Sequence, residues 1–454
     1  MSDSVRQENK MGIMPIPKLL ITMSLPMIIS MLVQALYNIV DSMFVAQLNE
    51  DALTAVSLAF PVQNLMIAVA AGTGVGINAL LSKSLGEKKY DIANKIAQNG
   101  LLLAILSSLV FAIAGIFGSR AFFAVQTDDA QIIEYGTQYM SVISIVSIGV
   151  FLQITFERLL QSTGKTIFNM ITQGLGAVIN IILDPILIFG WFGLPKMGVT
   201  GAAVATVIGQ VIAAMLGWFF NQKYNKEIHV IFKGFIPSKE TIGNIYKIGV
   251  PSIIMQSIGS LTTFGMNNIL LMFSTTAATV FGVYFKLQSF VFMPVFGLTN
   301  GMIPIVAYNY GAQNKKRIYQ TMKLSVMIAV SIMLIGVVIF QLFPQTLLGL
   351  FEASDHMLAI GVPALRTISL CFVFAGFSII ASSVFQALGN GVYSMLISIA
   401  RQIVVILPVA FIFAKLFGLD MVWYAYPIAE VVSVIMCIFL LKRIIKNRVK
   451  PLAN

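Results

Sequence analysis

Long apolar runs separated by short polar breaks recur along the whole chain. Because about 20 helical residues cross the hydrocarbon core of a bilayer, apolar runs of this length predict membrane-spanning helices. In the first half, spans are predicted at 16–46, 55–82, 96–118, 136–160, 167–190 and 200–221. In the second half, they are predicted at 244–273, 280–309, 318–343, 357–387, 391–415 and 421–441.

The two halves repeat each other at a nearly constant displacement of about 225 residues. An even number of spans per repeat gives both copies the same orientation in the membrane. The sequence therefore predicts an all-α integral membrane protein of about twelve transmembrane helices, in two homologous six-helix bundles, the N-lobe and the C-lobe, around a central cavity. The matching pairs are Pro26 and Pro251, Phe60 and Phe285, Gln63 and Gln288, Gly86 and Gly311, Gln161 and Gln386, and Gly164 and Gly389.

The polar breaks also predict the division into domains. The longest break separates the two sets of spans and predicts a cytoplasmic linker. The predicted segments are 1–15 (cytoplasmic N-terminal segment), 16–221 (N-lobe), 222–243 (linker), 244–441 (C-lobe) and 442–454 (basic cytoplasmic tail).

Composition and charge distribution both support a membrane protein. Charged residues make up 10% of the chain and hydrophobic residues 58%, whereas about 25% of residues are charged in soluble domains. The net charge of +11 follows the positive-inside rule, which predicts cytoplasmic termini and argues against nucleic-acid binding. The Lys and Arg residues that lie neither in predicted cytoplasmic segments nor near the cytoplasmic ends of spans are Arg120, Lys196, Lys415, Lys286, Arg366 and Arg401.

The residue types that would support catalysis or a resident metal are scarce. Cys371 and Cys437 both lie in apolar spans, and His229 and His356 lie in polar connections. No Cys/His ligand spacing and no GxxxxGK[ST] loop is present. We therefore expect neither a structural metal nor a cofactor, and no enzymatic activity.

Four acidic residues fall inside predicted spans: Asp41, Glu157, Asp184 and Glu430. A carboxylate at membrane depth costs several kcal/mol unless it is paired or hydrated, so each requires an explanation. Glu157 lies beside Arg158 near the end of its span, which favours an ion pair or snorkelling. For Glu430, pairing with one of the basic residues of the second half is the structural interpretation.

Asp41 and Asp184 are predicted to lie at equal depth. With a rise of about 1.5 Å per residue, both fall roughly 8 to 9 Å below the outer boundary of the membrane. Thr206, in the sixth span, reaches the same depth. Asn180 lies one turn before Asp184, and Gln173 shares their helix face.

Polar side chains also accompany Asp41 along the first span. Gln34 and Asn38 share its helix face, and Tyr37 flanks them. Two carboxylates facing each other in a low-dielectric pocket do not easily both stay charged, so the pair predicts a retained proton or a bound cation. Spacing alone does not distinguish H⁺ from Na⁺. The alternative is that Asp184 satisfies backbone groups around a kink at Pro185 while Asp41 ends a helix near water.

The second half does not repeat this acidic pair, because Met266 stands at the position equivalent to Asp41. Its polar residues predict either ion-paired packing or contact with a substrate. The candidates are Lys286, Arg401, Glu430, Gln256 and Gln288.

These segments resemble the multidrug and toxic compound extrusion (MATE) transporters, in the prokaryotic branch that includes the DinF-like proteins. The resemblance covers nearly the whole chain and rests on "SLPMIISMLVQALYNIVDSMFVAQL", "GEKK", "QSTGK", "NIILDPILIFG" and "GAAVAT". It implies a two-lobed, V-shaped bundle of twelve helices. It also implies an N-lobe cation site at Asp41, Asn180, Asp184 and Thr206, next to Gln34 and Tyr37, with Thr200 as the alternative to Thr206.

The implied activity is export of small amphipathic, mostly cationic compounds in exchange for H⁺ or Na⁺, by alternating access. We expect a monomer in the bilayer of a bacterial or archaeal cytoplasmic membrane. An acidic residue in the seventh or tenth span, present in the other family branch, is absent from this sequence. A lipid-linked oligosaccharide flippase of related architecture is the alternative, which Lys286, Arg366 and Arg401 leave open.

Overall fold

The structure is a computed structural model that describes residues 8–230, 235–351 and 353–452, and within them every regular element is a helix. Part of the predicted linker and the ends of the predicted terminal segments lie outside the described residues. Helices α1 to α8 are Lys10–Ile13, Ile16–Ala46, Glu50–Gly86, Tyr90–Ala124, Ala130–Ile145, Ile148–Ser162, Thr166–Phe189 and Val199–Tyr224. Helices α9 to α18 are Lys239–Leu271, Thr275–Gly311, Lys315–Leu342, Pro344–Gly349, Asp355–Ser369, Phe372–Ala387, Gly391–Ile399, Leu407–Leu416, Leu419–Val422 and Ala425–Ile444.

The prediction of an all-α membrane protein is confirmed. Within the described residues, eight helices are long and apolar enough to cross a membrane, and the bent pairs α5–α6 and α13–α14 raise this number to ten. One of the eight is the continuous helical segment Gly391–Leu416, which comprises α15, a π-helical segment and α16. Helices α9 and α18 occupy the positions of the two remaining predicted spans. Each predicted span therefore coincides with a helix or with a bent pair of helices.

Two spans predicted as single segments, 136–160 and 357–387, are each broken. The α5–α6 pair bends by 44° and the α13–α14 pair by 48°. At the first break the Ser147 hydroxyl donates to the carbonyl oxygen of Ser108 at 3.2 Å. This bond reaches a residue 39 positions away, so local sequence could not indicate the break.

The structure preserves the repeat in its backbone details. Gly164 and Gly389, which the alignment of the two halves pairs, have φ values of 85° and 77°, a conformation that glycine adopts without a Cβ clash. Asn49 caps α3 and Ser274 caps α10, each accepting from a backbone N–H with its side-chain oxygen. The same turn chemistry is therefore used twice, at equivalent places in the chain.

One compact unit comprises residues 29–253, that is, most of α2, all of α3 to α8 and the beginning of α9. Helix α7 packs along α8, and α3 packs against α4, α5 and α6. The beginning of α9 belongs here because a glycine lets it approach α3: a Cβ atom on Gly76 would collide with the carbonyl oxygen of Ile245. A buried apolar cluster that includes Phe123, Tyr139 and Phe151 fills the unit.

The other compact unit comprises residues 254–454 together with residues 1–28. Helix α10 packs against α11 and α14, and α14 packs against α18. The beginning of α2 joins this unit through Ser24, whose hydroxyl donates to the Leu298 carbonyl oxygen at 3.3 Å. Ser24 can pack here because Gly301 has no side chain, and a Cβ atom at that position would collide with it. The units thus divide within α2 and α9, whereas the predicted lobes, 16–221 and 244–441, divide in the linker.

Candidate functional site

Glycines bring α7 and α8 close together. A Cβ atom on Gly209 would lie 2.7 Å from the carbonyl oxygen of Gly176, and one on Gly201 would lie 2.6 Å from that of Leu187. Small residues at such crossings allow the backbones of membrane helices to approach each other. The close crossing places the polar face of α7 directly against α8.

Asn180 connects the two helices within this crossing. Its amide nitrogen donates to Asp184 Oδ2 at 3.3 Å, and its amide oxygen accepts from the hydroxyl and the backbone N–H of Thr206 at 3.2 and 3.0 Å. All three residues are buried, and Asp184 has no exposed surface at all. Thr206 and Asp184, which are predicted to lie at equal depth, are thus connected through Asn180 by a continuous chain of hydrogen bonds.

The Asp41 carboxyl group, carried by α2, completes the arrangement. The carboxyl groups of Asp41 and Asp184 lie close enough to share a hydrogen bond. Asp41 Oδ1 is buried without a hydrogen-bond partner in the described structure. A buried carboxylate oxygen without a donor is costly, so the pair is suited to hold a proton or a bound cation.

The other residues predicted near Asp41 differ in whether their side chains contact the site. Gln34 accepts from the Gln173 amide at 3.1 Å, which joins the polar stripes of α2 and α7. Tyr37 lies beside both carboxyl groups. Asn38, predicted on the same helix face, is exposed, and its backbone carbonyl accepts from the hydroxyl of Ser42.

Two further residues reach this site without having been predicted there. Tyr139, on α5, is buried near Asp41 and Asp184, and its hydroxyl pairs with Gln63 on α3. Gln63 was notable in the sequence only as a member of the internal repeat. A tyrosine in an apolar span carries no distinguishing pattern, so nothing in the sequence singled out Tyr139.

Thr200, the alternative to Thr206, lies elsewhere. Its hydroxyl donates to the Gln138 side chain at 3.1 Å. Because Thr206 instead contacts Asn180 directly, it is the threonine that the fold brings to the two carboxyl groups.

Glu157 and Arg158, for which an ion pair or snorkelling is predicted, attract each other electrostatically and also have uncharged polar partners. Glu157 Oε1 accepts from the Gln153 amide at 3.1 Å and from the Thr172 hydroxyl at 3.2 Å, whereas Arg158 donates to Gln161 at 2.8 Å. Each of these two charged side chains is therefore also held by uncharged polar groups.

In the second half, Glu430 pairs with Arg401, their closest atoms lying 2.7 Å apart. Arg401 belongs to a π-helical segment, Ala400–Ile406. Lys286, the other partner considered for Glu430, is exposed and lies 5.9 Å from the centre of the Phe351 ring. Arg366 is also exposed and donates to the Gln341 carbonyl oxygen.

The two glutamines predicted as substrate contacts, Gln256 and Gln288, are both half-buried. The candidate contacts of the second half are therefore dispersed, and among these candidates, all of them described residues, only Arg401 and Glu430 form a charged pair.

The donor set of the first-half site consists of oxygen atoms. Asp41 and Asp184 supply carboxylates and Thr206 supplies a hydroxyl oxygen, whereas the Asn180 amide oxygen is engaged by Thr206 and the amide nitrogen faces Asp184. Hard cations prefer such oxygen ligands. Among the described residues no group of three or more His, Cys, Asp or Glu is arranged so that it could hold a metal ion.

Comparison with known proteins gives concordant matches over nearly the whole chain. A family model described as MatE matches residues 26–186 and again 251–412, once in each half. The multidrug export protein MepA of Staphylococcus haemolyticus is 27% identical over 424 residues, covering 93% of this chain and 92% of that protein. MepA of Staphylococcus aureus MRSA252 is 28% identical over 426 residues, covering 92% and 91%.

Solved structures agree. An outward-facing multidrug resistance MATE family transporter of the MOP superfamily superposes with a TM-score of 0.92 at 26% identity, covering 98% of this chain and 99% of that one. A MOP superfamily transporter from Pyrococcus furiosus gives a TM-score of 0.91 at 26% identity, with the same coverage.

Proposed function

Because this chain belongs to the MatE family of multidrug and toxic compound extrusion transporters, we propose that it is a cation-coupled exporter of small, amphipathic, mostly cationic organic compounds. It is a multi-pass membrane transporter and not an enzyme. The coupling ion is H⁺ or Na⁺, and the site for it is the carboxyl pair of Asp41 and Asp184 with Asn180 and Thr206.

One observation carries this proposal: the Asp41 and Asp184 carboxyl groups meet inside one compact unit, and Asp41 Oδ1 lacks a partner. Two carboxylates in contact repel each other unless a positive charge lies between them. A site of this kind therefore changes its interactions strongly when one cation arrives or leaves. That is the property a coupling site requires.

The proposed cycle follows from linkage. Cation binding at the carboxyl pair and drug binding favour different conformations, so that each ligand promotes release of the other. On the outer side the cation loads and the drug leaves. On the inner side the cation leaves and a new drug molecule binds.

The proposed location is the cytoplasmic membrane of a prokaryote, with both termini in the cytoplasm, since the Lys and Arg residues are concentrated in the connections on that side. The working unit is proposed to be a monomer, because all members of the cation site come from a single unit of one chain.

The flippase alternative is less well supported. It requires basic side chains free to bind a phosphorylated lipid carrier, but Arg401 is neutralised by Glu430 at 2.7 Å. Arg366 is engaged with a backbone carbonyl, and Lys286 lies against an aromatic ring.

The test is ethidium efflux from proteoliposomes that contain the purified protein, driven separately by a pH jump and by a sodium gradient at fixed voltage. Asp41→Asn keeps the size of the side chain but removes its charge, so we expect transport to be abolished under both gradients. Asp128→Asn is the matched control. Asp128 is exposed near the end of α4, so this substitution is expected to leave transport unchanged.

The comparison of the two gradients assigns the coupling ion. Transport driven by only one gradient in the unchanged protein identifies H⁺ or Na⁺. Normal efflux by a well-folded Asp41→Asn protein would contradict the proposed site. If the unchanged protein exported ethidium at the same rate with and without either gradient, the proposed coupling would be contradicted.

A further inference from the structure

A groove of about 390 Å³ lies within the compact unit formed by residues 1–28 and 254–454. One wall is the elbow between α1 and α2, where Pro15, Ile16 and Pro17 line the groove. The other wall is one face of α11, from Arg317 to Met327. The site described above lies in the other unit, so this groove is a separate feature.

The groove is polar at one end and apolar at the other. Arg317, Gln320 and Lys323 line the part near the beginning of α11, and Leu324 and Met327 line the continuation. No acidic residue is among the lining residues. An anion placed at the polar end would therefore meet two cations and an amide without an opposing charge.

Arg317 is held in place and still has capacity for a ligand. Its Nη2 donates to the carbonyl oxygens of Met11 and Met14 at 2.9 and 2.8 Å, and its Nε donates to Asn309 at 3.0 Å. Within the described part of the chain, these bonds leave Nη1 without a protein partner. Lys323 is exposed beside it, two turns along the helix.

The spacing matches the layers of a bilayer. Arg317 to Lys323 covers about 9 Å of helix, enough to cross the roughly 5 to 8 Å of polar headgroup layer on one side of a membrane, and Met327 lies one turn deeper. The first nine residues of α11 carry Lys315, Lys316, Arg317 and Lys323, whereas its remainder, to Leu342, carries no charge. The basic end therefore lies at the interface and the apolar end in the hydrocarbon.

We propose that this groove binds one anionic phospholipid, with its phosphate between Arg317 and Lys323 and one acyl chain along Leu324 and Met327. Basic pockets between transmembrane helices on the cytoplasmic side are suited to anionic headgroups. A zwitterionic lipid would bring its own cation to the basic end and would therefore bind with a smaller electrostatic free energy. A soluble phosphate would gain nothing from the apolar end.

The test is native mass spectrometry of the purified full chain, titrated with phosphatidylglycerol and with phosphatidylcholine of identical acyl chains. We expect bound phosphatidylglycerol at concentrations where phosphatidylcholine is not retained. Lys323→Gln should weaken phosphatidylglycerol binding about fivefold, the effect of one interfacial cation. Lys316→Gln is the matched control, since Lys316 is exposed at the same end of α11 but does not line the groove.

A second variant tests the apolar end. Met327→Trp should obstruct the acyl chain and lower phosphatidylglycerol binding without removing charge, and its melting temperature in detergent shows whether it is folded. Equal binding of the two lipids, or equal losses in Lys323→Gln and Lys316→Gln, would overturn the proposal. So would competition by glycerol 3-phosphate at the affinity of the intact lipid, because that result identifies a site for a soluble anion.

Discussion

Asn180 and Thr206 are hydrogen-bonded between α7 and α8, the amide oxygen of Asn180 accepting from the Thr206 hydroxyl at 3.2 Å and from its backbone N–H at 3.0 Å. These two donors fix the amide so that its nitrogen faces Asp184. The position of the Asp184 carboxyl group therefore depends on a residue from the next helix. This dependence can be tested by changes that leave both carboxyl groups in place.

Thr206→Val removes the hydroxyl donor but keeps the shape of the side chain. Loss of one buried hydrogen bond costs about 1 kcal/mol, so the cation concentration that half-saturates transport should rise about fivefold. The measurement is efflux as a function of sodium concentration or pH. Thr206→Ser, which keeps the hydroxyl, should behave like the unchanged protein, and equal shifts in both variants would contradict a role for this bond.

The close crossing of α7 and α8 predicts different effects on stability for two glycine substitutions. Gly209→Ala places a Cβ atom 2.7 Å from the Gly176 carbonyl oxygen, which should destabilise the protein by about 1–3 kcal/mol. Gly174→Ala, also within α7, meets no atom within 4 Å and should be neutral or slightly stabilising. Thermal unfolding in detergent distinguishes them, and a Gly209→Ala protein at least as stable as Gly174→Ala would refute the crossing.

The buried pair of Arg401 and Glu430 should matter far more for stability than the ion pair between Lys89 and Glu87, although both are short, 2.7 and 2.8 Å. Glu430→Ala leaves a buried guanidinium without its partner, which should cost about 3–5 kcal/mol. Lys89→Gln, at a largely exposed pair, should change the unfolding free energy by less than about 1 kcal/mol.

The double variant Arg401→Met, Glu430→Leu tests the same point independently. Replacing both charges by apolar side chains of similar volume is often neutral or stabilising, so its unfolding free energy should return to near that of the unchanged protein. If Glu430→Ala and the double variant were equally destabilised, packing rather than charge would dominate at this position.

Arg317 is expected to hold α1 against its unit. Arg317→Gln removes donors to Met11, Met14 and Asn309, so amide hydrogen exchange in residues 10–14 should become faster while exchange in α10 stays unchanged. Exchange followed by mass spectrometry gives this comparison directly. Lys316→Gln is the control, and unchanged exchange in Arg317→Gln would show that α1 is held by its apolar contacts alone.

Much of the architecture could be predicted from the sequence because the relevant signals are local. The predicted first span, 16–46, coincides with α2, Ile16–Ala46, since a run of apolar residues needs no distant partner to indicate a helix in a membrane. The internal repeat and the convergence of Asp41, Asn180, Asp184 and Thr206 also follow from spacing along helices. Equal depth in a bilayer is enough to predict which polar residues can meet.

Choices between distant partners could not be made in this way. The sequence offered Glu430 both Arg401 and Lys286, and the fold gives it Arg401. It suggested Arg158 as the partner of Glu157, and the fold adds hydrogen bonds to Glu157 from Gln153 and Thr172. These outcomes depend on the rotation of each helix about its axis.

The helices, the membrane environment and the acidic residues inside spans could be predicted from residues close together along the chain, and the duplication from matching segments of its two halves. The tertiary structure alone decided that α2 and α9 are shared between compact units, that two spans are bent, and that Tyr139 lies at the carboxyl pair. The physical reason is that these features arise from contacts between residues far apart in sequence, where small residues and hydrogen bonds fix how closely helices approach.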